Sequence, residues 1–460
     1  MPKPDAAPPQ ATHVGVRSDH RHPLAPASRP RVGSRAPLLL GPALVAGVAY
    51  LDPGNVAANM TAGAQFGYLL VWVVVLGNLI AWLVQYLSAK LGVVTGRSLP
   101  ELLGERLRRP WARRAYWLQA ELVVMATDIA EVIGGAIALH LLFGVPLVWG
   151  GAITGAVSIV LLTVHARRGA RAFEAAIIAL LAIIVVGFGA GILFAPPDAG
   201  AVLGGLVPRF EGTGSVLLAA SILGATVMPH AIYAHSALAR DRFAPASAPT
   251  ALAESPTGAA REGANARPSD AIPRPDAATH RILRATRWDV TIALVVAGAI
   301  NLVMLLVAAA ALVGVPGTDT LEGAYAALRD GIGPAVALLF GVGLLASGLA
   351  STAVGAYAGG EVMAGLLRVR VPMIVRRLVT LAPALALLAV GVDPTWALVV
   401  SQVVLAFGIP FAIVPLVALT AGRALGGFRN RALTTALGIA ASIVLIALNA
   451  ALLWLVATGA

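Results

Sequence analysis

The sequence predicts an all-α, polytopic membrane protein with about eleven transmembrane helices, arranged as an inverted repeat of five helices plus five. Three observations lead to this fold class. The 460 residues are 58% hydrophobic and only 12% charged, whereas soluble globular proteins average about 25% charged residues. Apolar runs long enough to cross a bilayer recur along the chain. The first and the sixth of these runs are interrupted near their centres by polar, helix-breaking residues.

Eleven apolar runs have the length of about 20 residues that a membrane-spanning helix needs. Before them, segment 1–36 is polar and rich in Pro and Arg, typical of a disordered cytosolic tail and not of a signal peptide. Residues 241–285 are predicted to form a disordered cytosolic loop within one transmembrane domain, 37–457. The eleven runs are 37–63, 67–89, 115–143, 147–165, 172–196, 214–239, 288–315, 332–366, 374–391, 396–420 and 432–457.

The basic residues orient the spans. With the N-terminus in the cytosol, 31 of the 33 Lys and Arg residues fall in the tail or in inside connections, and Arg209 and Arg329 fall outside. This bias follows the positive-inside rule and predicts a cytosolic N-terminus and an outside C-terminus. The net charge of +11 therefore reflects topology and not a nucleic-acid surface. The chain has no cysteine, which excludes disulfides, thiolate metal ligands and Cys catalysis; nothing in it requires more than a monomer.

Two of the spans carry mid-membrane breaks. The first break is Asp52-Pro53-Gly54-Asn55 and the second is Met228-Pro229-His230. Pro removes a backbone donor and Gly lowers helix stability, so each helix must unwind there. Unwound backbone at membrane depth is tolerated only where it lines a cavity or is buried in protein. Because the two spans lie five apart, they cross the membrane in opposite directions, which predicts the inverted repeat and a substrate site at the breaks.

The first break offers oxygen ligands. Asp52 and Asn55 lie three residues apart, and unwound backbone adds free carbonyl oxygens, a hard set that suits a cation. The alternative is that Asp52 only caps the half-helix that follows. Ser or Thr would cap that helix without placing a charge in the membrane, which favours the cation interpretation.

The second break adds a soft donor. The thioether of Met228 prefers transition metals over calcium or magnesium. Most methionines in apolar helices are core filler, and that alternative applies here too. Its position beside Pro229, opposite the Asp-containing break, favours the ligand interpretation.

The third span contains three carboxylates on one helical face, at spacings of seven and three. Glu121 is expected to pair with Arg376 or Arg377 at the start of the ninth span. Asp128 and Glu131 are predicted to relay protons, with static salt bridges as the alternative.

Two histidines and one amide complete the polar set. His230 adjoins Met228 and is a candidate ligand, proton acceptor or hydrogen-bonded core residue. His235, five residues later, faces another side of the helix, which argues against a two-His metal site; seven residues from Met228, it can line the same pathway. Gln402 either hydrogen-bonds a neighbouring helix or reaches the ion.

In combination, these motifs resemble the Nramp family over about residues 37–420, and each motif falls on the expected span. The resemblance lies in Leu51–Asn55, Thr127–Glu131, Met228–His230 with His235, Ala346–Gly348 through Tyr357–Gly359, and Ser401–Leu405.

The resemblance implies a LeuT-like fold and proton-coupled transport of manganese, ferrous iron and related ions across a bacterial-type cytoplasmic (inner) membrane. The metal is then a cargo and the proton a coupling ion, and the protein is expected to be neither an enzyme nor the holder of a resident cofactor. It also implies a role for each matching residue. The implied metal ligands are Asp52, Asn55, Met228, the carbonyls of Ala49 and Ala225, and Gln402 on occlusion. The implied proton route is Asp52, His230, Asp128 and Glu131, with Glu121, Arg376 and Arg377 at its cytosolic exit.

Some positions depart from the family pattern by losing polar groups, namely Ala231, Leu349, Ala350 and Gly408. These departures bear on hydration and gating and leave the ligands intact. Met228 argues against the magnesium-carrying branch, which lacks this methionine. An amino-acid or cation carrier on the same fold remains an alternative, as does a metal sensor or metalloenzyme, although the His-Glu-x-x-His pattern is absent.

Overall fold

The computed structural model describes residues 41–243, 277–369 and 371–458, and all regular structure in these ranges is helical. The predicted tail 1–36 and most of the predicted loop 241–285 lie outside the described residues. The helices are α1 Pro42–Val48, α2 Pro53–Phe66, α3 Val71–Thr95, α4 Leu99–Arg106, α5 Pro110–Phe143, α6 Leu147–Arg168, α7 Ala170–Gly189, α8 Gly191–Phe194, α9 Ala199–Gly204, α10 Gly212–Thr226, α11 Pro229–Phe243, α12 Ala277–Ala311, α13 Leu321–Gly331, α14 Pro334–Leu367, α15 Met373–Val390, α16 Pro394–Ala421 and α17 Ala432–Thr458.

The first span is broken as predicted. Helix α1 continues into a 3-10 turn, Ala49–Leu51, and then the chain becomes extended at Asp52 before α2 begins. Pro53 occupies the first position of α2, where its missing N–H is harmless. The other end of α1 is held by Asp289 of α12, whose carboxylate accepts hydrogen bonds from the amides of Gly41 (3.1 Å) and Ala43 (2.9 Å).

The sixth span is broken in the same way. Helices α10 and α11 are separated by Val227 and Met228, and Pro229 opens α11. At the far end of α11, Arg240 pairs with Glu101 of α4 at 2.9 Å and with Glu361 of α14 at 3.1 Å. These ion pairs tie the second half of the broken span to two neighbouring helices.

The remaining spans follow the hydropathy pattern closely. Ten helical segments of the described chain are long and apolar enough to cross a membrane, and the pair α1–α2 adds the broken first span. The predicted loop 241–285 differs at both ends: α11 continues to Phe243 and α12 begins at Ala277, so residues 241–243 and 277–285 are helical and not part of a loop. Leu283 and Thr286 are buried on one side of this extension, so it is amphipathic and escapes a search for continuous apolar runs.

The broken helices occupy the middle of the molecule. Helices α1 and α2 pack on α12, α11 packs on α3 and α14, and α10 packs on α2, α3 and α17. The long α14 lies along α5, where a Cβ at Gly348 would come within 2.9 Å of the Gly135 amide nitrogen. Small residues of this kind let membrane helices approach closely.

The contact between α2 and α12 depends on one glycine. A Cβ at Gly63 would overlap the carbonyl oxygen of Leu305 and lie 2.7 Å from Ala308 Cβ. We expect Gly63→Ala to lower stability by about 1–3 kcal/mol through overpacking, measured as a lower thermal midpoint by tryptophan fluorescence. Gly204→Ala is the matched control, because nothing lies within 4 Å of a Cβ there. Equal midpoints for the two variants would contradict this account of the packing.

Candidate functional site

The two breaks meet at the side chain of Asn55. Its Nδ2 donates to the carbonyl of Tyr50 at 2.6 Å and to the carbonyl of Ala225, across the site, at 3.4 Å. Its Oδ1 accepts from Asn59 Nδ2 at 3.1 Å, which leaves one lone pair of that oxygen for another ligand. The structure thus brings Asn55 and Ala225 together, although 170 positions separate them in the chain.

Asp52 has one committed oxygen and one free oxygen. Oδ1 accepts a hydrogen bond from the Asn55 amide at 2.9 Å, so the capping role that the sequence offered as an alternative is present. Oδ2 is buried and has no hydrogen-bond partner among the described residues. A buried carboxylate oxygen without a partner is costly, so this atom calls for a cation or a proton.

Gln402 lies against the first break across Gly54. A Cβ at Gly54 would overlap Gln402 Nε2 and lie 3.1 Å from Asp52 Oδ2. Both polar atoms of the Gln402 amide are buried without a partner in the described part of the chain. The absence of a side chain at Gly54 therefore lets an amide from α16 sit beside the free oxygen of Asp52.

Prolines explain why Ala49 and Ala225 have available carbonyls. In an α-helix a carbonyl accepts from the amide four residues later, and the residues four after Ala49 and Ala225 are Pro53 and Pro229. Neither proline has an N–H to donate. Both backbone oxygens that the family resemblance implied as ligands thus lack the amide that would bond them in a continuous α-helix.

Neighbouring carbonyls of the first break are already bonded by side chains. Asn301 of α12 donates to the Tyr50 carbonyl at 2.9 Å, and Ser347 of α14 donates to the Leu51 carbonyl. The roles of Ser347, Asn59 and Tyr50 were not predicted from the sequence. The signal that would have found them is a polar side chain inside a predicted span, where a partner is obligatory.

Met228 is fully buried in the two-residue link between α10 and α11. Its carbonyl accepts from the Ile232 amide at 3.3 Å, so its own backbone is satisfied within α11. The residue follows Ala225 by three positions, which places it at the second break with the freed carbonyl.

The carboxylates of α5 differ in their partners. Asp128 pairs with Arg377 of α15 at 2.5 Å, with both side chains fully buried, and Arg377 also donates to Ser158 Oγ of α6 at 2.6 Å. For Asp128 the structure therefore shows the ion pair that the sequence left open as the alternative.

Glu121 pairs with Arg376 at 2.6 Å, one of the two partners expected from the sequence. Arg376 donates as well to the Ala356 carbonyl of α14 at 3.2 Å and lies against Gly359, where a Cβ would overlap the guanidinium. Helix α15 thus supplies one arginine to each of two carboxylates on α5.

Glu131 has no such partner. Its side chain is fully buried, and neither carboxylate oxygen is hydrogen-bonded within the described residues. Oε2 faces α14, since a Cβ at Gly355 would lie 2.9 Å from it. Of the three carboxylates on this face, Glu131 is the one left unpaired and so the one best suited to take up a proton.

The two histidines point to different neighbours, as their spacing of five predicts. His230 Nδ1 lies 3.4 Å from Thr127 Oγ1 of α5, and that hydroxyl donates its proton to the Val123 carbonyl at 3.0 Å. The ring must therefore be the donor in this contact, which leaves Nε2 of a neutral His230 as a free acceptor.

His235 belongs to a separate hydrogen-bonded chain. Its Nδ1 donates to Gln85 Oε1 of α3 at 2.6 Å, and Gln85 Nε2 donates in turn to the hydroxyl of Tyr50. Because the carbonyl of Tyr50 accepts a hydrogen bond from Asn55, this chain links α11 and α3 to the first break.

The departures from the family pattern lie in packed surroundings. Ala231 and Ala350 are fully buried. At Gly408 the space is filled from α5, since a Cβ there would lie 2.5 Å from Val123 Cγ2 and 3.3 Å from Gln119 Nε2.

Known proteins match this chain along most of its length. A sequence profile of the family described as Nramp, Natural resistance-associated macrophage protein-like, matches residues 43–455. The divalent metal cation transporter MntH of Mycobacterium tuberculosis (strain ATCC 25618 / H37Rv) is 56% identical over 422 residues, 92% of each chain. MntH of Bacillus subtilis (strain 168) is 43% identical over 414 residues, 89% of this chain and 90% of the relative.

Solved structures give the same fold. A crystal structure of the Eremococcus coleocola manganese transporter, in complex with an aromatic bis-isothiourea substituted compound, matches with a TM-score of 0.76 and 32% identity, over 90% of this chain and 85% of that one. Mhp1, a nucleobase-cation-symport-1 family transporter, matches with a TM-score of 0.52 at 15% identity, over 91% and 93%, which bears on the fold alone. The predicted all-α, LeuT-like fold class is confirmed.

The geometry around Gly54 gives a direct test of the site. We expect Gly54→Ala to displace the Gln402 amide and crowd Asp52 Oδ2, weakening Mn²⁺ binding about tenfold, or about 1.4 kcal/mol, by isothermal titration. Gly189→Ala is the control, because a Cβ there meets only Ile300 Cδ1 at 3.7 Å. Unchanged affinity in Gly54→Ala would place the metal elsewhere.

Proposed function

The chain belongs to the Nramp family, and on that premise we propose that it imports divalent transition-metal ions, Mn²⁺ and Fe²⁺ among them, coupled to protons, by alternating access. It is a multi-pass membrane protein, and its relatives are divalent metal cation transporters. The metal is the cargo of this reaction and the proton is the coupling ion.

The observation that carries the proposal is the set of uncommitted oxygens at the breaks. Within the described ranges, Asp52 Oδ2 and Gln402 Oε1 are buried without a hydrogen-bond partner, and Asn55 joins the break of α1–α2 to the Ala225 carbonyl. A dication that binds here would replace its water oxygens with a carboxylate, amides and carbonyls. Leaving the same atoms unpaired costs free energy, which favours occupation of the site by a cation or, in its absence, by a proton on Asp52.

Met228 supports selection for transition metals. All the other proposed ligands are oxygens, which hold calcium or magnesium as well as manganese. A buried thioether at the second break adds a soft ligand, which calcium and magnesium bind only weakly.

The proposed proton route leaves the metal site through α5. Binding of a dication to Asp52 favours release of its proton, and the unpaired Glu131 or the free Nε2 of His230 can accept that proton. The pairs Asp128–Arg377 and Glu121–Arg376 lie farther along the same face of α5. A proton that reaches Asp128 would neutralise its carboxylate and weaken its attraction to Arg377, which itself stays protonated.

The proposed orientation sends the cargo inward. The positive-inside bias puts the N-terminus in the cytosol and the C-terminus outside, in a cytoplasmic membrane. An inside-negative potential then assists entry by about 2.3 kcal/mol per charge per 100 mV. The site lies within one chain, so the proposal needs only a monomer in the lipid bilayer.

The role of Met228 is testable by competition. In proteoliposomes we expect Met228→Ala to take up Mn²⁺ with a KM raised about fivefold, and Ca²⁺ to compete with Mn²⁺ in this variant but not in the parent. Met304→Ala removes a buried methionine on α12 and should behave like the parent. Equal exclusion of Ca²⁺ by the parent and Met228→Ala would refute the selectivity role.

Proton coupling is testable with an internal pH dye under a negative potential. Asp52→Asn should abolish both Mn²⁺ entry and acidification, whereas Glu131→Gln should retain metal entry and lose most of the acidification. Asp330→Asn changes an exposed carboxylate of α13 and serves as the control. Acidification per Mn²⁺ equal to that of the parent in Glu131→Gln would remove this residue from the route, and uptake of amino acids in place of Mn²⁺ would favour an amino-acid carrier.

A further inference from the structure

Helix α16 contains two internal prolines, and a neighbouring helix compensates for each. Pro410 has no N–H for the carbonyl of Ala406, and Pro415 has none for the carbonyl of Phe411. Asn449 Nδ2 of α17 donates to the Ala406 carbonyl at 3.2 Å, and the Tyr116 hydroxyl of α5 donates to the Phe411 carbonyl. Each donor therefore reaches the one carbonyl that a proline has left without its helical partner.

Asn449 contacts both α16, which carries Gln402, and α10, which carries Ala225. Ala406 is one turn along α16 from Gln402, whose amide sits beside Asp52 Oδ2. On the other side, Asn449 Oδ1 would lie 3.7 Å from a Cβ at Gly224, the residue before Ala225 in α10. Asn449 is 3% exposed, so its amide makes these contacts away from water.

Helix α17 stands outside the inverted repeat and packs on α10 and α16. A helix is weakened where a proline removes a backbone hydrogen bond or a side chain enters the hydrogen-bond ladder. The donor from α17 at Ala406 therefore ties α16 to α17 at a weakened turn close to Gln402.

We propose that Asn449 is a positioning residue for the metal site: by bonding the Ala406 carbonyl it fixes the proline-weakened turn of α16 so that Gln402 stays against Gly54 and Asp52. The inference rests on the proposed function, because it assigns Gln402 to the bound metal. It gives the eleventh span a part in metal binding that acts through α16.

The test compares Asn449→Leu, which keeps the number and branching of the side-chain heavy atoms and removes the donor, with Ser442→Ala. Ser442 is also buried on α17, but its hydroxyl donates to Gly438 within the same helix at 2.7 Å. By isothermal titration with Mn²⁺ we expect Asn449→Leu to raise Kd about fivefold and Ser442→Ala to leave Kd within twofold of the parent.

Repeating Asn449→Leu in two other variants separates a positioning role of Asn449 from general destabilisation of the fold. In Gln402→Ala, where the amide is already gone, Asn449→Leu should change Kd less than twofold. In Pro410→Ala the backbone regains an N–H for the Ala406 carbonyl, so Asn449→Leu should again change Kd less than twofold. The comparison of Pro410→Ala with the double variant remains informative if Asn449→Leu alone folds poorly. A fivefold effect that persists in both backgrounds would overturn the inference, as would a parent-like Kd for Asn449→Leu.

Asp52→Ala distinguishes failure of this inference from failure of the proposed function. Loss of Mn²⁺ binding in Asp52→Ala, with a parent-like Asn449→Leu, would reject the role of Asn449 alone. Equal Kd values for the parent and Asp52→Ala would reject the metal site and this inference with it.

Discussion

A backbone carbonyl inside a membrane must find a donor or a cation, and prolines in this chain decide which carbonyls are left without a helical donor. Pro53 and Pro229 deprive Ala49 and Ala225 at the two breaks. Pro410 and Pro415 deprive Ala406 and Phe411 in α16, where Asn449 and Tyr116 take the place of the missing amides. The same loss of a backbone donor thus yields candidate metal ligands at the breaks and hydrogen bonds between helices in α16. The outcome depends on whether a neighbouring helix places a side-chain donor beside the freed carbonyl.

The side chains at the breaks also include polar atoms without a partner in the described part of the chain. Asp52 uses one oxygen to cap α2 and keeps the other free, and Gln402 lies next to that free oxygen with both of its polar atoms unpaired. Farther along α5, by contrast, Asp128 and Glu121 are neutralised by adjacent arginines of α15. These unpaired groups lie near the breaks, where a cation or a proton would compensate them, and the ion pairs of Asp128 and Glu121 lie farther along α5.

The breaks were predictable because Asp, Pro and Gly together within an apolar run make a continuous helix costly, and the spans followed from hydropathy. Hydropathy did not predict the amphipathic start of α12, since Leu283 and Thr286 alternate with exposed arginines there. Which carboxylate takes which arginine also lay beyond the sequence: Glu121 and Arg376 are 255 positions apart, and only packing brings them together. The role of Asn449 needed the structure for the same reason, because a lone amide in the last span predicts a partner without naming it.

Two polar lines leave the first break in different directions. One passes through α5, from Glu131 toward Asp128 and the arginine of α15 that holds it. The other runs from Tyr50 through Gln85 of α3 to His235 of α11. The carboxylates of the first line can take up protons, as the proposed proton route requires. The second line consists of neutral donors and acceptors that join α11, through Gln85, to Tyr50, whose carbonyl accepts from Asn55. In the proposed alternating-access cycle these bonds would couple metal binding to the position of α11, which is the physical requirement for a site that opens to one side of the membrane at a time.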